Sequence, residues 1–107
     1  MGQFRTGDAA YAAYVDAAYD VDQNTGTGRF YRSTHEDDGV PNINSYASGY
    51  RHHGTEFWNR DASSPNTTYV CTPDDTTKCN GGTGGVGVNF AHLSYYGHFV
   101  VVGGTCS

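Results

Sequence analysis

The sequence predicts an α/β fold, and three observations carry that reading. Tyr11, Tyr14, Val15, Ala18 and Tyr19 recur at the spacing of one helix face. A β-type run, Phe30–Thr34, follows across a polar, glycine-containing loop. That run delivers the chain into Glu36-Asp37-Asp38 and then into Gly39-Val40-Pro41. An acid just past a strand end, on a loop stiffened by Gly and Pro, is where an α/β enzyme keeps a carboxylate that orients another group.

Taken in order, Met1–Gly7 is turn-type and the helix follows it. Thr6 or Asp8 suits the N-cap, and the alanines add helix propensity. The tyrosine stripe reads as a packing face. Asp20–Gly28 ends the helix, and Phe30–Thr34 alternates as a strand. Residues 36–49 form a loop rich in Asn, Ser, Gly and Pro. Tyr50–Trp58 reads as one strand or hairpin arm. Asn59–Asn66 is a turn, and Thr67–Cys71 is β-prone and expected to pair back with residues 55–58. Asn80–Gly87 holds five glycines and reads as a flexible connector. It lacks the Gly-Lys-Ser/Thr ending of a phosphate loop. Val88–Gly97 presents His92 before a short Tyr-rich segment that is expected to be helical, and the apolar run Phe99–Val102 closes the chain. No internal repeat or domain boundary appears, so residues 1–107 are one domain.

Composition narrows the function. Of the 107 residues 36% are hydrophobic and 14% aromatic, with nine tyrosines, so any core is thin. The formal net charge is −5 and Lys plus Arg total 6, which argues against a nucleic-acid partner. No apolar run approaches the ~20 residues that span a bilayer. Cys71 and Cys79 flank a polar turn and are expected to form a disulfide, leaving Cys106 as an odd thiol. Asn66-Thr67-Thr68 is a glycosylation acceptor sequence. Secreted-style features without a signal segment after Met1 lead to the expectation that the natural N-terminus is absent.

The candidate chemistry pairs Asp38 with His92, in Phe90-Ala91-His92-Leu93-Ser94-Tyr95-Tyr96-Gly97. A histidine base needs a carboxylate on Nδ1 to hold its tautomer and stabilise its charged form. The nucleophile is missing from the pattern. None of Ser33, Ser45, Ser48, Ser63, Ser64, Ser94 or Ser107 has glycine at both −2 and +2, as a nucleophile elbow requires. The chain thus carries an acid and a base with nothing for the base to activate. Metal binding is the competing chemistry. His52, His53, Glu56, Asp37, Asp38 and the two cysteines supply ligand types, but no recognised ligand spacing. Neither a metal nor another cofactor is expected.

Four ordered segments resemble the fungal class 3 lipases and the related feruloyl esterases. Gly2-Gln3-Phe4-Arg5-Thr6-Gly7-Asp8 is similar to their Tyr-Gly-x-Pro-Arg-x-Gly-Asn, with Phe4 for proline and Asp8 for asparagine. Thr34-His35-Glu36-Asp37-Asp38-Gly39-Val40-Pro41 resembles Thr-His-x-x-Asp-x-(Val/Ile)-Pro, whose aspartate, here Asp38, is the triad acid. Gly49–Trp58 resembles Gly-Tyr-x-His-x-x-x-Glu-(Tyr/Phe)-Trp. Ala91-His92-Leu93-Ser94-Tyr95-Tyr96-Gly97 resembles Ala-His-x-x-Tyr-(Phe/Tyr)-Gly, whose histidine, here His92, is the base. Asn42–Ser45 departs from the family's Leu-Pro-Pro.

The resemblance implies the C-terminal part of an α/β-hydrolase fold, incomplete as it stands. It implies an extracellular serine hydrolase of carboxylic esters, either glycerides or feruloylated polysaccharide, with the serine outside this chain. It further implies that Cys106 pairs with an absent N-terminal cysteine. The chain alone is then expected to be inactive and poorly stable. A reading of another class is a small secreted carbohydrate-binding module using Tyr50, Trp58 and the other aromatics.

Overall fold

The computed structural model describes residues 2–61, 65–72, 79–95 and 98–99. After an extended start comes a two-residue strand, β1 (Gly7–Asp8). Asp8 then caps helix α1 (Ala9–Ala18), its carboxylate accepting the Tyr11 N–H at 2.9 Å. This satisfies one of the amides that a helix start leaves open.

The helix turns inward a different face from the tyrosine stripe. Ala12 and Asp16 are its buried residues, while Tyr14 is 75% exposed. Tyr11 and Tyr19 keep only edge contacts, with His53 and Phe30 respectively. The cause is Asp16. Its carboxylate accepts the Gln23 side-chain amide at 2.6 Å and the Gly54 N–H at 2.7 Å. A buried carboxylate must be hydrogen-bonded, and these two donors lie on the inner side of the helix.

The main sheet holds three strands in the order β2-β4-β5. Strand β2 (Tyr31–His35) begins one residue later than expected and runs parallel to β4 (Thr55–Asn59). Strand β5 (Thr68–Cys71) pairs antiparallel with β4, as expected, with Glu56 opposite Cys71. The stretch from Tyr50 to Trp58 is not one arm. It breaks at residues 52–54, and its first part, β3 (Tyr50–Arg51), pairs with β1 instead.

Near the end, the Tyr-rich segment expected to be helical starts as a strand instead, and the residues before it, Phe90–Leu93, form a four-residue 3-10 turn. This turn runs into β6 (Ser94–Tyr95), which pairs antiparallel with β7 (His98–Phe99). Residues 100–102 of the closing run lie outside the described residues, as does Cys106 with its expected partner.

Two ties join these parts. Arg5, buried, donates to the carbonyls of Asn42 (3.3 Å) and Asn44 (3.4 Å), and Asn44 donates back to the Arg5 carbonyl at 2.6 Å. This pins the N-terminal segment to the loop beyond Asp38. A disulfide joins Cys71 to Cys79, as expected. Among the described residues the buried apolar side chains are small, namely Ala12, Val40, Pro41, Cys71, Cys79 and Ala91. Larger buried groups are polar, among them His35, Glu56, Asn59 and Asn80. No helix among the described residues is long and apolar enough to cross a membrane.

Candidate functional site

Strand β2 ends at His35 and the chain turns sharply, with Glu36 at φ 41°. The turn drives Asp38 inward until it is 0% exposed. Asp38 Oδ1 accepts the Val40 N–H at 2.9 Å. His92 arrives from the 3-10 turn, its Nδ1 lying 3.0 Å from Asp38 Oδ2 and 3.2 Å from Oδ1. A carboxylate buried beside an imidazole acts as acceptor, so Nδ1 carries the proton. That leaves Nε2 with a lone pair on a side chain 25% exposed. The pair therefore holds one nitrogen fixed and leaves the other able to take and return a proton.

Of the three consecutive acids only Asp38 enters this site. Asp37 is exposed, and Glu36 is half-buried. His35 was not singled out from sequence, yet it supports His92. It is buried, and its Nδ1 donates to the Ala91 carbonyl at 2.8 Å, one residue before His92. Gly2 floors the pair. A Cβ there would stand 2.4 Å from Asp38 Oδ2 and 2.8 Å from His92 Nδ1. The first resembling segment thus needs its glycine because no side chain fits beneath the pair.

The glycine-rich stretch is not a free connector. Asn80, 2% exposed, donates its side-chain amide to the Asp38 carbonyl at 2.9 Å and the Glu36 carbonyl at 3.3 Å. Asn89 donates to the Asp37 carbonyl at 2.7 Å, and Trp58 Nε1 to that of Glu36 at 2.9 Å. Gly39 bridges to Gly87, and a Cβ on Gly85 would fall 1.8 Å from the Asp37 carbonyl oxygen. The glycines allow two backbones to touch. Asn80 and Asn89 gave no sequence signal, because the carbonyls they serve are distant in the chain.

The other polar candidates disperse. His52 Nε2 donates to the Pro41 carbonyl at 2.7 Å. His53 is buried between Tyr11 and Phe30, with Gln3 Nε2 at 3.3 Å from its Nε2. Burial pushes its pKa below the usual histidine value, Asp16 opposing and Arg32 reinforcing that shift. Glu56, Cys71 and Cys79 bring ligand atoms within 4.8 Å of one another. The two sulfurs are bonded to each other, however, and neither is a thiolate. Glu56 instead accepts from Thr34 Oγ1 at 2.5 Å and pairs with Arg32 at 3.7 Å. Trp58 serves packing as well as the Glu36 bond, its ring tilted against Tyr69 at 6.4 Å.

Against known proteins, no family model matches the chain. It is 40% identical over 99 residues to a lipase of Rhizomucor miehei, covering 91% of this chain and 24% of that protein. It is 38% identical over 76 residues to the secreted mono- and diacylglycerol lipase 1 of Fusarium solani, covering 65% of this chain and 22% of that protein. The structure superposes on a lipase from Rhizopus microsporus var. chinensis with a TM-score of 0.74 and 30% identity, covering 92% of this chain and 31% of the other. The chain spans about a quarter of the length of the curated relatives it matches.

Proposed function

We propose, on the premise that this chain belongs to the fungal class 3 lipase family, that its protein hydrolyses carboxylic esters through a Ser-His-Asp system. Its fold is part of an α/β-hydrolase fold. In this reading His92 Nε2 takes the proton of a serine hydroxyl as that oxygen attacks the ester carbonyl. His92 returns the proton to the departing alcohol, then repeats the cycle on water to release the acid and free the serine. Asp38 holds the imidazole in the Nδ1–H tautomer and stabilises its charged form. The serine and the oxyanion donors come from outside these 107 residues, which hold no Gly-x-Ser-x-Gly.

The observation that carries the reading is the 3.0 Å contact of a fully buried Asp38 with a partly exposed His92. The disulfide and the secreted Fusarium relative support an extracellular protein. The relatives are lipases, which favours glycerides as substrates over feruloyl esters.

The test compares three proteins. The 107-residue chain alone releases no acid from glycerides or p-nitrophenyl esters. The chain joined to a family segment bearing Gly-x-Ser-x-Gly hydrolyses both. In that protein Asp38→Ala lowers kcat about ten-thousand-fold and His92→Ala about a million-fold. Full activity in either variant sinks the assignment. Preference for feruloyl esters over long-chain glycerides would move the substrate class.

A further inference from the structure

The acid of a triad works only if its carboxylate is held still, yet Asp38 sits on a turn and not within a strand. What holds that turn is a set of side-chain amide and indole donors, one of which leads back into the sheet. The carbonyls of Glu36, Asp37 and Asp38 each accept a side-chain N–H, from Trp58, Asn89 and Asn80. Asn80 is the member that spans the turn, reaching both the Glu36 and the Asp38 carbonyls. Its own backbone N–H donates to Glu56 Oε1 at 3.3 Å. Glu56 is fixed in turn by Thr34 and Arg32 of β2. The residue before Asn80 is Cys79, bonded to Cys71, which stands opposite Glu56 in the β4–β5 ladder.

A primary amide is the group this place requires. It offers two donors to two carbonyls and carries no charge. A carboxylate there would oppose the same carbonyl oxygens, and an aliphatic group would take this donor from the Asp38 carbonyl and one of its donors from that of Glu36.

We infer that Asn80 is a positioning residue for Asp38, anchored to the sheet by the Cys71–Cys79 disulfide. This rests on the reading of Asp38 and His92 as the acid and base of ester hydrolysis. Asn80 touches neither side chain of the pair in the bonds described. It acts on the backbone that aims one of them.

The test uses the protein as its gene encodes it and follows two amide hydrogens by exchange. The Val40 N–H donates to Asp38 Oδ1 and reports the turn. The Thr55 N–H donates to the Phe30 carbonyl at the start of β4 and reports the sheet. In Asn80→Ser and in the double variant Cys71→Ser/Cys79→Ser, Val40 protection falls roughly tenfold or more while Thr55 keeps its own. The downfield imidazole proton of His92 Nδ1 weakens with it. Equal loss at both amides, including outright unfolding, overturns the inference, because Asn80 then holds the sheet and not the turn. Unchanged exchange at Val40 overturns it as well. Selective loss in Asn80→Ser but not in the cysteine variant removes the anchoring role. Failure of the underlying reading looks different. The His92 proton is then absent in the unaltered protein or survives Asp38→Asn, whatever Val40 does.

Discussion

Gly2 and Asp38 meet at a distance that admits no Cβ, so the smallest substitution in the chain is expected to be among the costliest. Gly2→Ala should force Asp38 and His92 apart and lower ester-hydrolysis kcat at least a hundred-fold, with KM little changed, since ångström-scale misplacement has that effect. A Gly2→Ala protein with wild-type kcat would show the floor to be soft. His53 governs a second property. Burial lowers its pKa in the folded state below the 6.5 of an unfolded chain. The unfolded state then binds the proton more readily. Stability is complete above that value and declines as pH falls below it. Urea midpoints of the protein as its gene encodes it should drop between pH 7.5 and 5.5. The drop should shrink in His53→Gln; an equal drop in both proteins would place the titration elsewhere. Asp38 and His92 were legible because each lies in a short, dense motif. His35 lies in the same motif as Asp38 but passed as a spacer, since nothing local reveals that it reaches the Ala91 carbonyl.

Among the elements, β5 and the turn before it make a separate claim. Asn66 is exposed in the turn Pro65–Thr67 that leads into β5, and Thr68, the third residue of the acceptor sequence, begins the strand. Produced through a eukaryotic secretory route, the protein should carry one glycan at Asn66. Enzymatic deglycosylation should reduce its mass, and Asn66→Gln should abolish the difference. No mass change in the unaltered protein would refute the site. Elements were legible where a local preference and a partner coincide. Residues 68–71 pair with β4 as their β-prone composition suggests. The periodicity of α1 was real but named the wrong face, because spacing cannot show where Gln23 and Gly54 wait for Asp16. Residues 80–87 misled for the opposite reason. Glycine signals freedom in isolation, whereas here Gly85 lies against the Asp37 carbonyl where only glycine fits.

For the whole molecule, burial runs against the usual order. Polar groups such as His35, Glu56 and Asn80 lie inside, while Phe90 is 86% and Val86 85% exposed. Small buried apolar groups contribute little against a backbone ordering cost of about 1–2 kcal/mol per residue. The parallel pair β2–β4 also belongs to a class of sheet that is covered on both faces. The 107-residue chain by itself should therefore unfold broadly and at low temperature by circular dichroism. A sharp transition above about 45 °C, the lower edge of ordinary domain stability, would contradict that expectation. The same layout bears on timing. Asp38 and His92 are separated by 54 residues, and no local contact can bring them together. At a synthesis rate of about 5–20 residues per second, Asp38 leaves the ribosome roughly 3–11 seconds before its partner. On the proposed reading of this pair, the acid waits for seconds before there is a base to aim, and hydrolysis cannot begin until His92 has emerged.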